Sequence, residues 1–589
     1  MKKYSVLKTV FGLIICGMLF ACEDMLQEKS FDFIGEFEDS NAGADQAAIG
    51  AYSYLLDDMF RWDQFPKVLD MDCDYATGPD WSLSKIGAGN FQGDDGMDPM
   101  WTKNYVLIHR TNNAIENIEA MTNASDAHKR NTIGEMKFLQ AYAYFLLVRA
   151  YGEIPIRYQS VSIDPDYNKP REPIAKVYAH IVDLLKYAED NVYKNTDSRF
   201  QTGRASAGAA ASLLAKAYAT MASGAMSEGI VSVKGGEPFI GSGDDKAYTA
   251  PTQWTATINK VAGYDFDAQA YYDSARVKAK QIIDGEYGAY DLLPYDQLWS
   301  IASRHKVEHI FMIQPVSGSD LYGGGIARYY TGTTDGSDMI IEGLFHGCSN
   351  HWYRLFDNDP QDLRVEQGVM HRWINRDYHE SWNGGAFYPD DEKWENVPSR
   401  GIWASKAKGY YIDELTGNQV TVAKAKIFDD GRDYVNNKSA DCIAYLMKYY
   451  NATDRSQIKS DVPLPVLRFA DVLLIYAEAA NETEQNTEAL SALNRVRERS
   501  KASHKDITSK ESLRSAILEE RAMELALESD RRWDLIRWGI YLEVMNKING
   551  LDENGINKKR ENKHLLYPIP SDVMLTNKAI AAQGNNPGW

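Results

Sequence analysis

Arg468-Phe-Ala-Asp-Val-Leu-Leu-Ile-Tyr-Ala-Glu-Ala-Ala-Asn481, following the turn-like Pro463-Leu-Pro465, is the stretch whose reading decides the fold. Ala470, Leu473, Leu474, Ala477 and Ala480 recur at the three/four spacing of a helix. The spacing predicts a buried helix, and its small residues let a second helix come close. Arg468 and Asp471 stand one turn apart and are expected to pair with each other. Glu478 sits inside the apolar run and must find a partner, because an unpaired buried carboxylate is costly. All three charged residues read as structural.

The same periodicity extends outward. A first helix is expected over 44–59, then 101–121, 126–151, 175–191 and 205–222, with Gly152-Glu-Ile-Pro155 as a stop signal after the third. Residues 226–265 are glycine-rich and read as an insertion. Helix returns over 271–285, and His309 to Gln314 reads as a short strand. Two helices are expected after the central one, over 488–499 and 512–528. Glu520, Glu524 and Glu528 recur four residues apart along the latter, so cations must lie among them; Arg521, Arg531, Arg532 and Arg537 are the candidates. Paired helices rich in alanine and tyrosine suggest tetratricopeptide-like hairpins stacked in a solenoid.

Two stretches break the pattern. Residues 65–99 carry Asp70, Asp72, Asp74, Asp80, Asp94, Asp95 and Asp98 among glycines and prolines, a long functional-looking loop. Its aspartates read as a solvated loop, with a structural calcium ion as the alternative, although the spacing is not that of an EF-hand. Residues 315–462 replace helical periodicity with turns and rings. Five of the thirteen tryptophans (Trp352, Trp373, Trp382, Trp394 and Trp403) fall between 352 and 403. Rings on loops held by a helical scaffold suit a sugar, whose CH face stacks on an aromatic while its hydroxyls need polar neighbours.

The N-terminus reads as an export signal over 1–21. Lys2, Lys3 and Lys8 precede an apolar core, and Leu19-Phe-Ala-Cys22 ends it like a lipobox, with Cys22 as the acylated first residue of the mature chain. Residues 22–43 then form a tether, and 44–589 a single domain with its helical scaffold over 44–314 and 463–589. Loss of 1–21 removes three lysines and no acid, so the net charge moves from −19 to −22. Such a surface repels nucleic acid and anionic lipid, and no later segment is apolar enough to span a bilayer. Cys73, Cys348 and Cys442 are widely spaced and fit either one disulfide or three buried thiols.

The central stretch resembles the signature of the SusD/RagB family, surface lipoproteins of Bacteroidetes that bind nutrients, mostly glycans. Arg110-Thr-Asn-Asn-Ala114, Phe138 to Gly152 and Gly203-Arg-Ala205 resemble its scaffold segments. Glu520, Arg521, Glu524, Arg531, Asp534, Leu535, Arg537 and Trp538 match its second signature, with Ser529 standing where the family commonly has glycine. Leu566-Tyr-Pro-Ile-Pro570 and Asn585-Asn-Pro-Gly-Trp589 resemble its closing motifs, whereas 226–462 is largely unmatched.

The resemblance implies a mainly α fold, a tetratricopeptide-like helical-hairpin scaffold with an irregular, loop-rich ligand-binding subdomain over 315–462. It implies a non-catalytic, lipid-anchored protein of the outer membrane that faces the exterior. There it would capture oligo- or polysaccharide and lid a SusC-like TonB-dependent transporter, with no cofactor. The family's ligand residues lie outside its shared motifs, so the candidates are rings on loops: Trp81, Tyr322, Tyr329, Trp352 and Trp382. Trp101, Trp299 and Trp538 are assigned to packing. A surface glycoside hydrolase and a tetratricopeptide-like protein-binding scaffold are the alternatives. No HExxH, GxSxG, Walker loop or zinc spacing supports the first.

Overall fold

The computed structural model describes residues 37–56, 64–93, 97–242, 246–334, 340–343, 345–359, 361–375, 384–388, 410–412, 419–421, 433–436 and 443–589. The expected signal peptide, Cys22, Trp382 and Cys442 lie outside them.

Helices dominate both ends of the described chain. In order they are α1 (Asn41–Tyr54), α2 (Gln64–Asp70), α3 (Met97–Ala120), α4 (Asp126–Tyr151), α5 (Ile174–Asn191), α6 (Ala207–Ala225) and α7 (Ala268–Ile283). After the irregular region come α8 (Phe469–Glu482), α9 (Asn486–Arg499), α10 (Lys510–Glu524), α11 (Arg531–Arg537) and α12 (Tyr541–Lys547), then α13 (Ser571–Thr576) and α14 (Lys578–Gln583). From α3 to α9 each helix packs on the next in sequence, as stacked hairpins do. α4 has the expected bounds because its end signals are local. The Ser125 side chain accepts from the His128 N–H, and Gly152, at φ 72°, donates to the Val148 carbonyl. From Asn131 onward almost every α4 residue is buried, which makes it the axis of the scaffold.

Strand is sparse. Residues 226–265 form two hairpins, Ile230–Gly235 with Thr252–Thr257 and Phe239–Ile240 with Ala247–Tyr248. A small sheet of five short strands occupies 333–436 in the order 433–436, 384–387, 372–375, 340–342, 333–334. Between the scaffold and the irregular region, His309–Ile313 and Leu464–Arg468 pair antiparallel. This pair brings both ends of the irregular region to one place.

Arg468 departs from the sequence expectation. It caps α8 with extended backbone (φ −124°, ψ 153°), so its side chain leaves the helix face that carries Asp471. Its Nε lies 2.6 Å from Glu528, Nη1 2.6 Å from Glu308, and Nη2 3.0 Å from Glu524. Asp471 instead accepts from Arg521 at 2.8 Å and Lys216 at 3.0 Å. Glu478 finds Arg537 at 2.6 Å, as its burial demanded. The partners of the three glutamates also differ from those expected. Glu520 is met by Arg364 and Arg497, Glu524 by Arg364, Arg468 and Arg499, and Glu528 by Arg468 and Lys448. Surrounded by cations, the Glu524 carboxyl is held far below the usual range.

The last of these glutamates is not on the helix at all. α10 stops at Glu524, because Leu527 and Ser529 adopt left-handed backbone at φ 58° and 68°. Ser529 thus makes the break that a glycine would make without steric cost. Its N–H donates to Asp70 at 2.6 Å.

Three aspartates of the 65–99 stretch, Asp70, Asp72 and Asp74, are buried rather than solvated, whereas Asp80 and Asp98 are exposed as expected. Asp72 is buried and accepts from Arg560 at 2.9 Å, from the Tyr541 hydroxyl at 2.6 Å and from Arg532. Asp74 takes both nitrogens of a forked Arg531, at 2.9 and 2.6 Å. Among the described residues no group of three or more histidines, cysteines or acids is placed to hold a metal. Cys73 and Cys348 are buried, unbridged thiols.

Asp70 has no cation in its contacts, and burial beside Asp530 and Glu528 pushes its carboxyl up to about 8. The unfolded carboxyl loses its proton near pH 4. Between about pH 4 and 8 the native state therefore binds more protons than the unfolded one, and stability falls as pH rises. Urea melts across that window are expected to show this slope for the native chain and a flatter one for Asp70→Asn. Arg468→Met, which takes one buried cation from Glu308, Glu524 and Glu528 together, is expected to lower stability by about 3–5 kcal/mol in the same measurement.

Candidate functional site

The buried pairs of Asp72 and Asp74 fix the segment that leads to Trp81. Ala76–Thr77 then pairs antiparallel with Gly347–Cys348, and the Lys558 ammonium donates to the carbonyls of Cys73 and Ala76 at 3.1 and 2.8 Å. Gly78 lets the two segments touch, since a Cβ there would lie 2.0 Å from the Phe345 carbonyl oxygen. Immediately beyond, Asp80–Leu83 makes one helical turn after Pro79, with the Asp80 carboxylate accepting the Trp81 N–H at 2.6 Å.

This geometry presents the Trp81 indole to solvent at 67 % exposure. Phe345 meets its ring edge-on, with centroids 4.9 Å apart, and Tyr329 lies 5.3 Å beyond Phe345. The Tyr329 carbonyl accepts the N–H groups of Phe345 and His346, at 2.8 and 2.9 Å, so Tyr329 and Phe345 are tied through backbone as well. Asp80, Ser84, Lys85 and Asn90 are exposed around the tryptophan. A braced, upright ring among hydrogen-bonding side chains can stack on a ligand's CH face and bond its edge.

Two of the sequence candidates, Trp81 and Tyr329, thus meet through Phe345, which sequence reasoning missed. Its only sign was an aromatic two residues before Gly347, and nothing local says that Gly347 pairs with Thr77. Tyr322 is 38 % exposed on a turn pinned to Lys459 and Ser460, and no ring contact among the described residues joins it to Trp81. Trp352 requires correction. It is 2 % exposed, lies 5.1 Å from the Phe356 ring and donates its indole N–H to the Ala522 carbonyl at 2.9 Å. It locks the irregular region onto α10 and cannot face a ligand. Trp101 and Trp538 are buried as expected, and Trp299 packs beneath Arg468 at 5.2 Å.

Trp352→Ala is expected to lower stability by about 3–5 kcal/mol. Trp81→Ala, at the exposed site, is expected to change it by less than about 1 kcal/mol, so thermal melts separate the two roles.

Two family profiles match the chain. One described as "SusD family" covers 308–589, and one described as "Starch-binding associating with outer membrane" covers 26–219. SusD-like protein P2 of Formosa agariphila is 24 % identical over the full length of both chains. A SusD homolog from Bacteroides thetaiotaomicron superposes with a TM-score of 0.69 at 21 % identity, over 96 % of this chain and 100 % of that one. A solved laminarin-binding SusD-like protein superposes at 0.62 with 18 % identity, over 93 % of this chain and 99 % of that one. At such identities the superpositions speak to the fold.

Proposed function

This chain belongs to the SusD family, and from that membership we propose that it is a non-catalytic glycan-binding lipoprotein of the outer membrane. In this reading residues 1–21 are removed and Cys22 carries the lipid. The segment from Cys22 to the start of the docked residues before α1 tethers the domain to the exterior face. There the protein captures oligo- or polysaccharide and delivers it, as a lid, to a SusC-like TonB-dependent transporter.

The observation that carries the reading is the Trp81 ring, exposed yet braced by Phe345 and Tyr329. An apolar ring of that size left in water costs free energy that a stacked sugar recovers. Trp81 and Tyr329 are the first binding residues, Phe345 supports them, and Tyr322 and Trp382 are candidates for a wider surface. A ligand held there by stacking on a mature chain of net charge −22 is a neutral saccharide in preference to an acidic one. The hydrolase alternative loses ground at the same place. Asp552 and Glu553, which adjoin the segment before Trp81, are buried against Thr77 and Asn350.

Affinity electrophoresis against plant, microbial and host polysaccharides is expected to retard the native chain selectively. Trp81→Ala should abolish the retardation, with about a tenfold or greater loss in affinity. No retardation across the panel, or retardation untouched by Trp81→Ala, would sink this reading. Release of reducing sugar would favour the hydrolase.

A further inference from the structure

A second concave site lies on other elements altogether. A pocket of about 230 Å³ opens between the start of α3, the 155–169 loop and the C-terminal helices α13 and α14. It shares no lining residue with the Trp81 surface.

Its floor is aromatic. Trp101 and Tyr105, one turn apart on α3, lie tilted with centroids 5.1 Å apart. The Tyr105 hydroxyl is occupied by the Pro155 carbonyl at 2.8 Å, so this residue offers the pocket its ring. Val573 and Ile580 close the far side.

The loop that forms the mouth is held in place. Asn577 donates to the carbonyls of Tyr167 and Lys169 at 2.9 and 3.0 Å, and the Lys578 N–H donates to the Asn168 side chain at 2.9 Å. From the other side Arg157 donates to the carbonyls of Asp164, at 2.7 Å, and Asp166. Yet this fixed mouth leaves apolar surface in water. Tyr167 is 61 % exposed, and Leu575 on α13 is 81 % exposed. The fold does not bury these side chains, and their backbones are too well tied for the exposure to come from a loose loop.

The polar groups at the rim define what could enter. Lys169 is paired with Asp164 at 3.0 Å and Arg157 is spent on carbonyls, so neither charge calls for an ionic ligand. His109 accepts the Val161 N–H on Nδ1 at 3.3 Å, which leaves Nε2 as the protonated donor of a neutral ring. Burial holds this imidazole below its ordinary pKa. An aromatic floor, a neutral donor and cancelled charges suit a ligand with an apolar face and a hydroxylated edge. The volume is below that of ordinary drug-sized pockets and fits one ring, not a chain.

The geometry points to a second saccharide site here, one that takes a single neutral sugar ring against Tyr105 and Tyr167, with the buried Trp101 as part of the wall. Only the choice of ligand class rests on the glycan reading; the pocket does not.

The test uses the full chain in detergent, with methyl glycosides of glucose, galactose, mannose and xylose followed by saturation-transfer NMR. At least one glycoside is expected to bind. Tyr167→Ala should weaken it about tenfold, Tyr167→Phe should restore it, and Trp81→Ala should leave it in place. Asn577→Ala, which unties the mouth, should weaken it while circular dichroism confirms an unchanged fold. Binding lost in Trp81→Ala but kept in Tyr167→Ala would overturn the second site. So would binding of phenol in place of every glycoside, or no glycoside binding by a chain that is still retarded by polysaccharide. Glycoside binding by a chain that no polysaccharide retards would uphold the pocket and refute the Trp81 reading instead.

Discussion

Arg468 donates to carboxylates from three separate segments, and the way it is satisfied governs how the helical scaffold and the irregular region meet. Glu308 precedes the strand His309–Ile313, Glu524 ends α10, and Glu528 follows the left-handed residue Leu527. Around them Arg364, Asp362, Asp359 and Lys448 come from the irregular region and Arg497 and Arg499 from α9. A network of this kind is not where net stability comes from, because each ion has given up its hydration. Its effect is on geometry. A shifted arrangement would leave charges unmatched in a dry interior, so only one seating of the loops on the helices is cheap.

The same logic operates at the other side of the molecule. Asp72 and Asp74 reach guanidinium groups on α11 and beyond it, which pulls the segment after α2 against the C-terminal quarter. With that segment fixed, the short ladder from Thr77 to Gly347 needs little further ordering. The tryptophan beyond it is carried on a rigid base rather than on a free loop. In the proposed binding role this base would keep the loss of conformational freedom small.

What the sequence disclosed was what is encoded locally. α4 could be bounded to the residue because Ser125 and Gly152 act within one turn of its ends, and Glu478 was recognisably in need of a partner because its neighbours are apolar. Tertiary pairing was not legible. Arg468 and Asp471 have the right spacing to meet, but one extended residue at the helix cap sends the guanidinium elsewhere. Ser529 breaks α10 without glycine, so a reader of propensities carries the helix on to Glu528. Asp70, Asp72 and Asp74 look like a hydrated loop because their partners lie more than four hundred and fifty positions away. At the candidate site, the exposure of Trp81 was legible from its polar neighbours. Phe345 was not, and Trp352 in the same aromatic-rich region proved to be core.

The antiparallel pair of His309–Ile313 and Leu464–Arg468 has an implication for how such a protein can diversify. It works as a clasp at the neck of the irregular region, so the chain it encloses leaves and re-enters the scaffold at one point. The entropy of closing such an excursion grows only with the logarithm of its length, about 0.6 kcal/mol for each doubling. Loop residues beyond the clasp that take no part in the buried ion network or the Trp352 contact can therefore be gained or lost while every helix keeps its register. The scaffold acts as a fixed chassis, and the loops between the buried contacts can change in length at a small entropic cost.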